Sequence, residues 1–109
     1  MFIYLWGRIR MTKTLINNAK IERAAYLLKA LAHPLRIKII GILEEQKEAG
    51  VNEMVDLLEA EQSLVSHHLS KMYDKGLLSM RREGKNSYYS LSDQNITTIL
   101  KCINNCKTA

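Results

Sequence analysis

Residues 61–78, EQSLVSHHLSKMYDKGLL, restrict the chain to few folds. At about 100° per residue, Val65, Leu69 and Met72 fall on one stripe, the apolar face of a helix over residues 62–73. Ser63, Ser66, His67 and Ser70 fall on the opposite face, which carries no acid until Asp74. A solvated helix face is normally dominated by long charged side chains. A face of short hydroxyls and histidine suits a surface pressed against something polar, such as the base edges and phosphates of a major groove. The other reading of this stretch is an ordinary surface helix with unusually short side chains. The flanking segments bear on the choice.

From residue 18 the pattern is helical. Ile21, Ala24, Ala25, Leu28, Leu31 and Ala32 follow one stripe, which Asn17 or Asn18 can cap. HPLRIKIIGILEEQ comes next, with Pro34 suited to the first position of a new helix. Leu35, Ile37, Ile39, Ile40, Ile42 and Leu43 make that helix apolar almost all round, so it belongs at the buried centre. Residues 48–50 read as a turn, and Asn52 as the cap of a short helix, EMVDLLEA, with Met54, Val55, Leu57 and Leu58 facing inward. A tight turn near Glu61 then leads into the helix described first. Two short helices joined by a few residues, the second with a polar outer face, form a helix-turn-helix.

After Gly76 the period drops from 3.6 to 2. LLSMRR and SYYSL alternate and are rich in strand formers, with GKN between them as a turn. This predicts a β-hairpin with Arg81, Arg82 and Lys85 at or near its tip. Like charges clustered there repel one another, so folding alone does not ask for them. They fit a wing that grips a phosphate backbone; the alternative is a soluble edge, since Lys and Arg also blunt edge strands. The position of the hairpin, directly after the helix-turn-helix, favours the wing. The last segment, DQNITTILKCINNCKTA, reads as a helix capped by Ser92 or Asp93, with Ile96, Ile99, Leu100 and Ile103 on its stripe.

The expected fold is therefore mainly α with a small β-hairpin, a winged helix-turn-helix of about five helices. With 109 residues there is room for one domain, expected over 18–109, preceded by an arm or tail over 1–17. The apolar run at residues 2–6 is too short for a membrane span or a signal-peptide core, so neither membrane nor export is expected. Sixteen Lys and Arg against eleven Asp and Glu give +5, a balance that favours an anionic partner. Two cysteines make no disulfide framework and fit a reducing cytoplasm. Three histidines, with no Gly-rich phosphate loop and no paired carboxylates, leave little for catalysis, and no enzyme is expected.

LLKALAHPLRIKIIGIL, then QSLVSHHLSKMYDKGLL, then RREGKNSYYSL, in this order, resemble the ArsR/SmtB family of bacterial winged-helix repressors. The resemblance spans about residues 24–106. It implies a homodimer built from the first and last helices, with two recognition helices reading a palindromic double-stranded DNA operator. The two apolar stripes agree: Ile21, Leu28 and Leu31 on the first helix and Ile96, Ile99 and Ile103 on the last are the expected dimer contacts. Carried over by position, Gln62, Ser63, Ser66, His67, Ser70 and Lys71 become the DNA-facing set, with Arg81, Arg82 and Lys85 on the wing. His68 lies nearer the apolar stripe and is expected as a packed or hydrogen-bonded core histidine. Arg36, near the start of the second helix, could reach a phosphate but is expected as a solvated charge. Glu61 departs from the family, which often has Ser there; Ser is a better cap, and an acid near phosphates costs affinity.

Many members of that family bind a metal or metalloid and leave DNA. The Cys-x-Cys of the arsenic and lead sensors has no counterpart in VNEMVDLL. Against the zinc-type pattern on the last helix, Asp93 matches and Cys106 stands at a His position as a second possible ligand, while Asn95 and Ala109 replace a His and an acid. Two ligands of four make a poor zinc site, so no metal or cofactor is expected. Cys102 and Cys106, one turn apart, are either small apolar fillers or the basis of thiol modification or of a soft-metal site shared across the dimer, for which Asp93 is a further candidate ligand. A second function class, a winged-helix module binding protein or RNA, also fits a basic wing. Salt-dependent, sequence-specific binding to a palindromic duplex separates the two.

Overall fold

The computed structural model describes residues 18–93 and 95–105, without the side chain of Ile103. The arm expected over 1–17 and Cys106 lie outside the described residues. In chain order the elements are α1 (Asn18–Ala30), α2 (Pro34–Gln46), β1 (Ala49–Gly50), α3 (Val51–Leu58), α4 (Gln62–Asp74), β2 (Leu78–Glu83), β3 (Asn86–Leu91) and α5 (Asn95–Asn104). Among the described residues there are thus five helices and one small antiparallel sheet of order β1-β3-β2.

The helix expected at the centre is there. Pro34 occupies the first turn of α2, where its missing N–H costs nothing, and the backbone N–H of Leu35 donates to Nδ1 of the capping His33 at 3.1 Å. Ile39, Ile40 and Leu43 of α2 are fully buried, against Met54 of α3, Val65, Leu69 and Met72 of α4, and Tyr89 of β3. Each such aliphatic side chain contributes about 1.5–3 kcal/mol by leaving water.

Several local expectations are corrected. Residues 48–50 do not make a simple turn: Ala49 and Gly50 pair with Tyr89 and Tyr88 as a third strand. Gly50 fits because a Cβ there would sit 3.3 Å from Cε1 of Tyr88, whose ring covers the strand. Helix α3 starts at Val51, not after Asn52, and its N-cap is Gly50, with no side-chain cap bond. Leu57 does not face inward; it is 52% exposed, and α3 packs through Met54, Val55 and Leu58 instead. Of the two candidate caps for the last helix, Asp93 takes the role, its Oδ1 accepting from the backbone N–H of Asn95 at 2.9 Å. Ser92 is used elsewhere, as described below.

The stripe of α1 finds little cover within one chain. Ala30 and Leu31, at its C-terminal end, join the core, whereas Ile21 is 39% and Leu28 55% exposed. Among the expected dimer contacts, Leu31 and Ile96 are therefore buried in the chain's own core and offer no surface to a partner. Ile99 is half-buried.

Candidate nucleic-acid interface

Helix α4 is anchored along one side. Val65, Leu69 and Met72 are fully buried and His68 is 5% exposed, which fixes the rotation of the helix about its axis. Gln62, Ser63, His67, Ser70 and Lys71 are consequently exposed, and Ser66 is half-buried at the margin. Leu64, also exposed, flanks this surface beside Lys71 and His67. Leu64 was not legible as part of this surface, because an isolated apolar residue off the stripe carries no periodic signal. The helix begins after Glu61, which makes no side-chain cap bond. The turn before it places Glu59 in the left-handed region, at φ 51° and ψ 46°.

The hairpin is bolted to the far end of α4. Ser92 Oγ donates to the carbonyl of Gly76 at 2.6 Å, and the Ser92 backbone N–H donates to the Leu77 carbonyl at 3.1 Å. Strands β2 and β3 run in register from Leu78 opposite Leu91 to Glu83 opposite Asn86. The turn is thus the pair Gly84–Lys85, one residue shorter than GKN, with Asn86 inside the strand. Gly84 has φ +64°, the positive value at the first central position that a two-residue type II′ turn requires.

The three wing cations do different things. Arg81 sits in the body of β2 opposite Tyr88, not at the tip. Its Nε and Nη2 donate to the two carboxylate oxygens of Glu48 at 3.0 and 2.8 Å, and Nη1 donates to Glu83 at 3.2 Å. Its guanidinium carbon lies 4.8 Å from the centre of the Tyr88 ring. The bonds from Arg81 hold the Glu48 carboxyl below its usual range and push the guanidinium up. Arg81 therefore ties β2 to the segment leading into β1. Arg82 and Lys85 are exposed, and among the described residues the ion pairs engage neither of them.

His68 meets its expectation as a hydrogen-bonded core histidine. Its Nδ1 accepts from Nε of Arg36 at 3.0 Å. Arg36 is not the solvated charge expected for it, because its Nη1 also donates to the Ala30 carbonyl at 2.9 Å. Neither bond was legible from local pattern, since the partners lie 32 and 6 residues away.

On the sensing side, Cys102 is a free, exposed thiol on α5, and Asp93 is occupied as the helix cap. Among the described residues no group of three or more His, Cys, Asp or Glu side chains could hold a metal ion. Among them also, no helix is long and apolar enough to cross a membrane.

Comparison with known proteins places this geometry in context. Residues 33–80 match the family described as bacterial regulatory protein, arsR family. The transcriptional repressor PagR of Bacillus anthracis is 38% identical over 89 residues, covering 82% of this chain and 89% of PagR. Its crystal structure superposes with a TM-score of 0.69 over 76% of this chain and 94% of that one. The HTH-type transcriptional regulator YgaV of Escherichia coli (strain K12) is 30% identical over 95 residues, 87% of this chain and 96% of YgaV. The structure of HlyU from Vibrio cholerae N16961 gives a TM-score of 0.74 at 28% identity, over 84% of this chain and 99% of that one.

Proposed function

Because the chain belongs to the arsR family of bacterial regulatory proteins and is a DNA-binding transcriptional regulator, we propose that it works as a homodimeric repressor occupying a palindromic operator. In this reading α4 enters the major groove. Ser63, Ser66, His67 and Ser70 meet base edges there, with Gln62 and Lys71 at the margins. The wing lays Arg82 and Lys85 along the adjacent phosphates, while Arg81 holds the wing in shape through Glu48. The protein acts in the cytoplasm and catalyses no reaction.

The observation that carries the reading is the anchoring of α4. Four buried side chains on one side of that helix aim an acid-free face of short polar side chains outward. Such a face can approach base edges closely, and its hydroxyls and imidazole both donate and accept. Similarity to PagR, a repressor by name, favours repression over activation. Dimerisation is supported by the uncovered stripe at Ile21 and Leu28, since a chain this small gains from burying it against a second copy.

The test pairs binding with expression. Duplexes selected by the protein from its source genome should bind with an affinity that falls steeply as salt rises. A promoter carrying the selected site should be more active when the protein is absent. Binding without sequence preference, or a promoter less active without the protein, overturns the proposal.

A further inference from the structure

Two connections run from α1, the helix with the uncovered stripe, to α4. The Tyr26 hydroxyl donates to the Lys75 carbonyl at the end of α4, at 3.0 Å. The second is better enclosed. Arg36, at the start of α2, spans from the Ala30 carbonyl, where α1 ends, to Nδ1 of His68 in the middle of α4. Arginine suits this place because its planar fork addresses two acceptors at once, which a single ammonium cannot do.

We propose that Arg36 and His68 are positioning residues for operator recognition: the guanidinium ties the end of α1 to the buried side of the recognition helix, and protonation of His68 releases that tie. The inference rests on the reading of α4 as the DNA-reading helix.

The chemistry of the imidazole makes the tie conditional. Nδ1 accepts a hydrogen bond, so the neutral ring carries its proton on Nε2. A doubly protonated ring has no acceptor for Arg36 and sets a second positive charge beside the guanidinium. The groups facing His68 all oppose that charge. They are Arg36 on α2; His33 at the corner between α1 and α2, with ring centroids 4.3 Å apart; and His67 on α4 itself, at 5.7 Å. Burial first, then these neighbours, lowers the pKa of His68 below its ordinary 6.5. A histidine with a lowered folded value contributes fully above 6.5, and its contribution is lost as pH falls through that lower value. The tie is thus complete at neutral pH and opens only in acid.

The experiment measures affinity for one duplex, selected from a random pool by the full chain at neutral pH, across the range from neutral to acid. Wild type should lose affinity in acid. His68→Asn keeps an acceptor at the position of Nδ1 but cannot titrate; it should bind at neutral pH within a few-fold of wild type and recover about tenfold of the acid loss. Arg36→Lys keeps the charge but cannot span both acceptors, and should bind about tenfold more weakly at neutral pH with its helix content unchanged. His33→Asn, which keeps a capping acceptor, separates loss of the α2 cap from loss of the tie. Parallel pH profiles for wild type and His68→Asn, or a profile flattened only by His33→Asn, overturn the proposal. Nitrogen NMR of the wild-type imidazoles needs no variant to fold: a proton on Nδ1 of His68 at neutral pH overturns it equally. If no duplex is selected at all, the DNA-reading assignment has failed, while the NMR arm still decides the Arg36–His68 bond.

Discussion

Leu69 and Leu57 show at the residue scale what a helical wheel can and cannot deliver. Both were expected to face inward, yet Leu69 is fully buried and Leu57 half exposed. The wheel worked for α4 because its thirteen residues give the stripe three turns in which to repeat. Helix α3 has eight residues, and over two turns an apolar residue at the margin cannot be told from one at the centre. The energetic consequence is direct. Leu69→Ala should destabilise the fold by about 2–5 kcal/mol, through lost transfer energy and the cavity left behind. Leu57→Ala should stay within about 0.5 kcal/mol. Urea unfolding of the two variants checks the contrast, and equal losses would contradict the placement of Leu57. Arg81, Arg82 and Lys85 teach a related lesson. Their mutual repulsion was visible in the sequence, but of the two carboxylates that engage Arg81 only Glu83 is local; Glu48, which accepts two of the three bonds, lies 33 residues earlier, and nothing local signals it. The proposed phosphate contacts therefore narrow to Arg82 and Lys85. Arg82→Ala should weaken binding similarly on every duplex and reduce the salt slope by about one. A changed sequence preference for that variant would place Arg82 at the bases instead.

The wing was legible as an element, though not in its details. Alternation in LLSMRR and SYYSL marked both long strands, because side chains of period 2 that bury one face leave a strong signature. Strand β1 left none: two residues, Ala49 and Gly50, cannot alternate, and their pairing with Tyr88 and Tyr89 is set by tertiary packing. The length of the turn depended on one backbone angle. Gly84 at φ +64° closes a two-residue turn, where the sequence had allowed three. Gly84→Ala should accordingly cost about 1 kcal/mol or more in stability, since a side chain there must adopt a left-handed backbone. Calorimetry on the variant checks this, and an unchanged melting temperature would contradict the turn geometry.

At the scale of the whole molecule, the succession of helix, central helix, helix-turn-helix, hairpin and helix was readable because each segment carries its own period. Which apolar residues of the outer helices serve the core and which remain for a partner was not readable, because a stripe has the same period in both roles. Leu31 and Ile96 serve the core; Ile21 and Leu28 remain. Leu28→Asp should thus preserve the helix content of the chain while shifting it to monomers in sedimentation, and operator affinity should fall with the loss of the second half-site. A dimer of unchanged stability would exclude the Leu28 surface from the interface.

The central claim, that α4 reads sequence in a two-fold assembly, is tested most directly by one selection from a random duplex pool, run side by side with wild type and His67→Ala at a single salt concentration. Wild type should enrich an inverted repeat whose half-sites lie about one helical turn apart, or a multiple of one. His67→Ala should shift the base preference at symmetric positions in both half-sites. Enrichment of no motif by wild type, or recovery of the same motif with uniformly weaker binding by His67→Ala, would contradict the account.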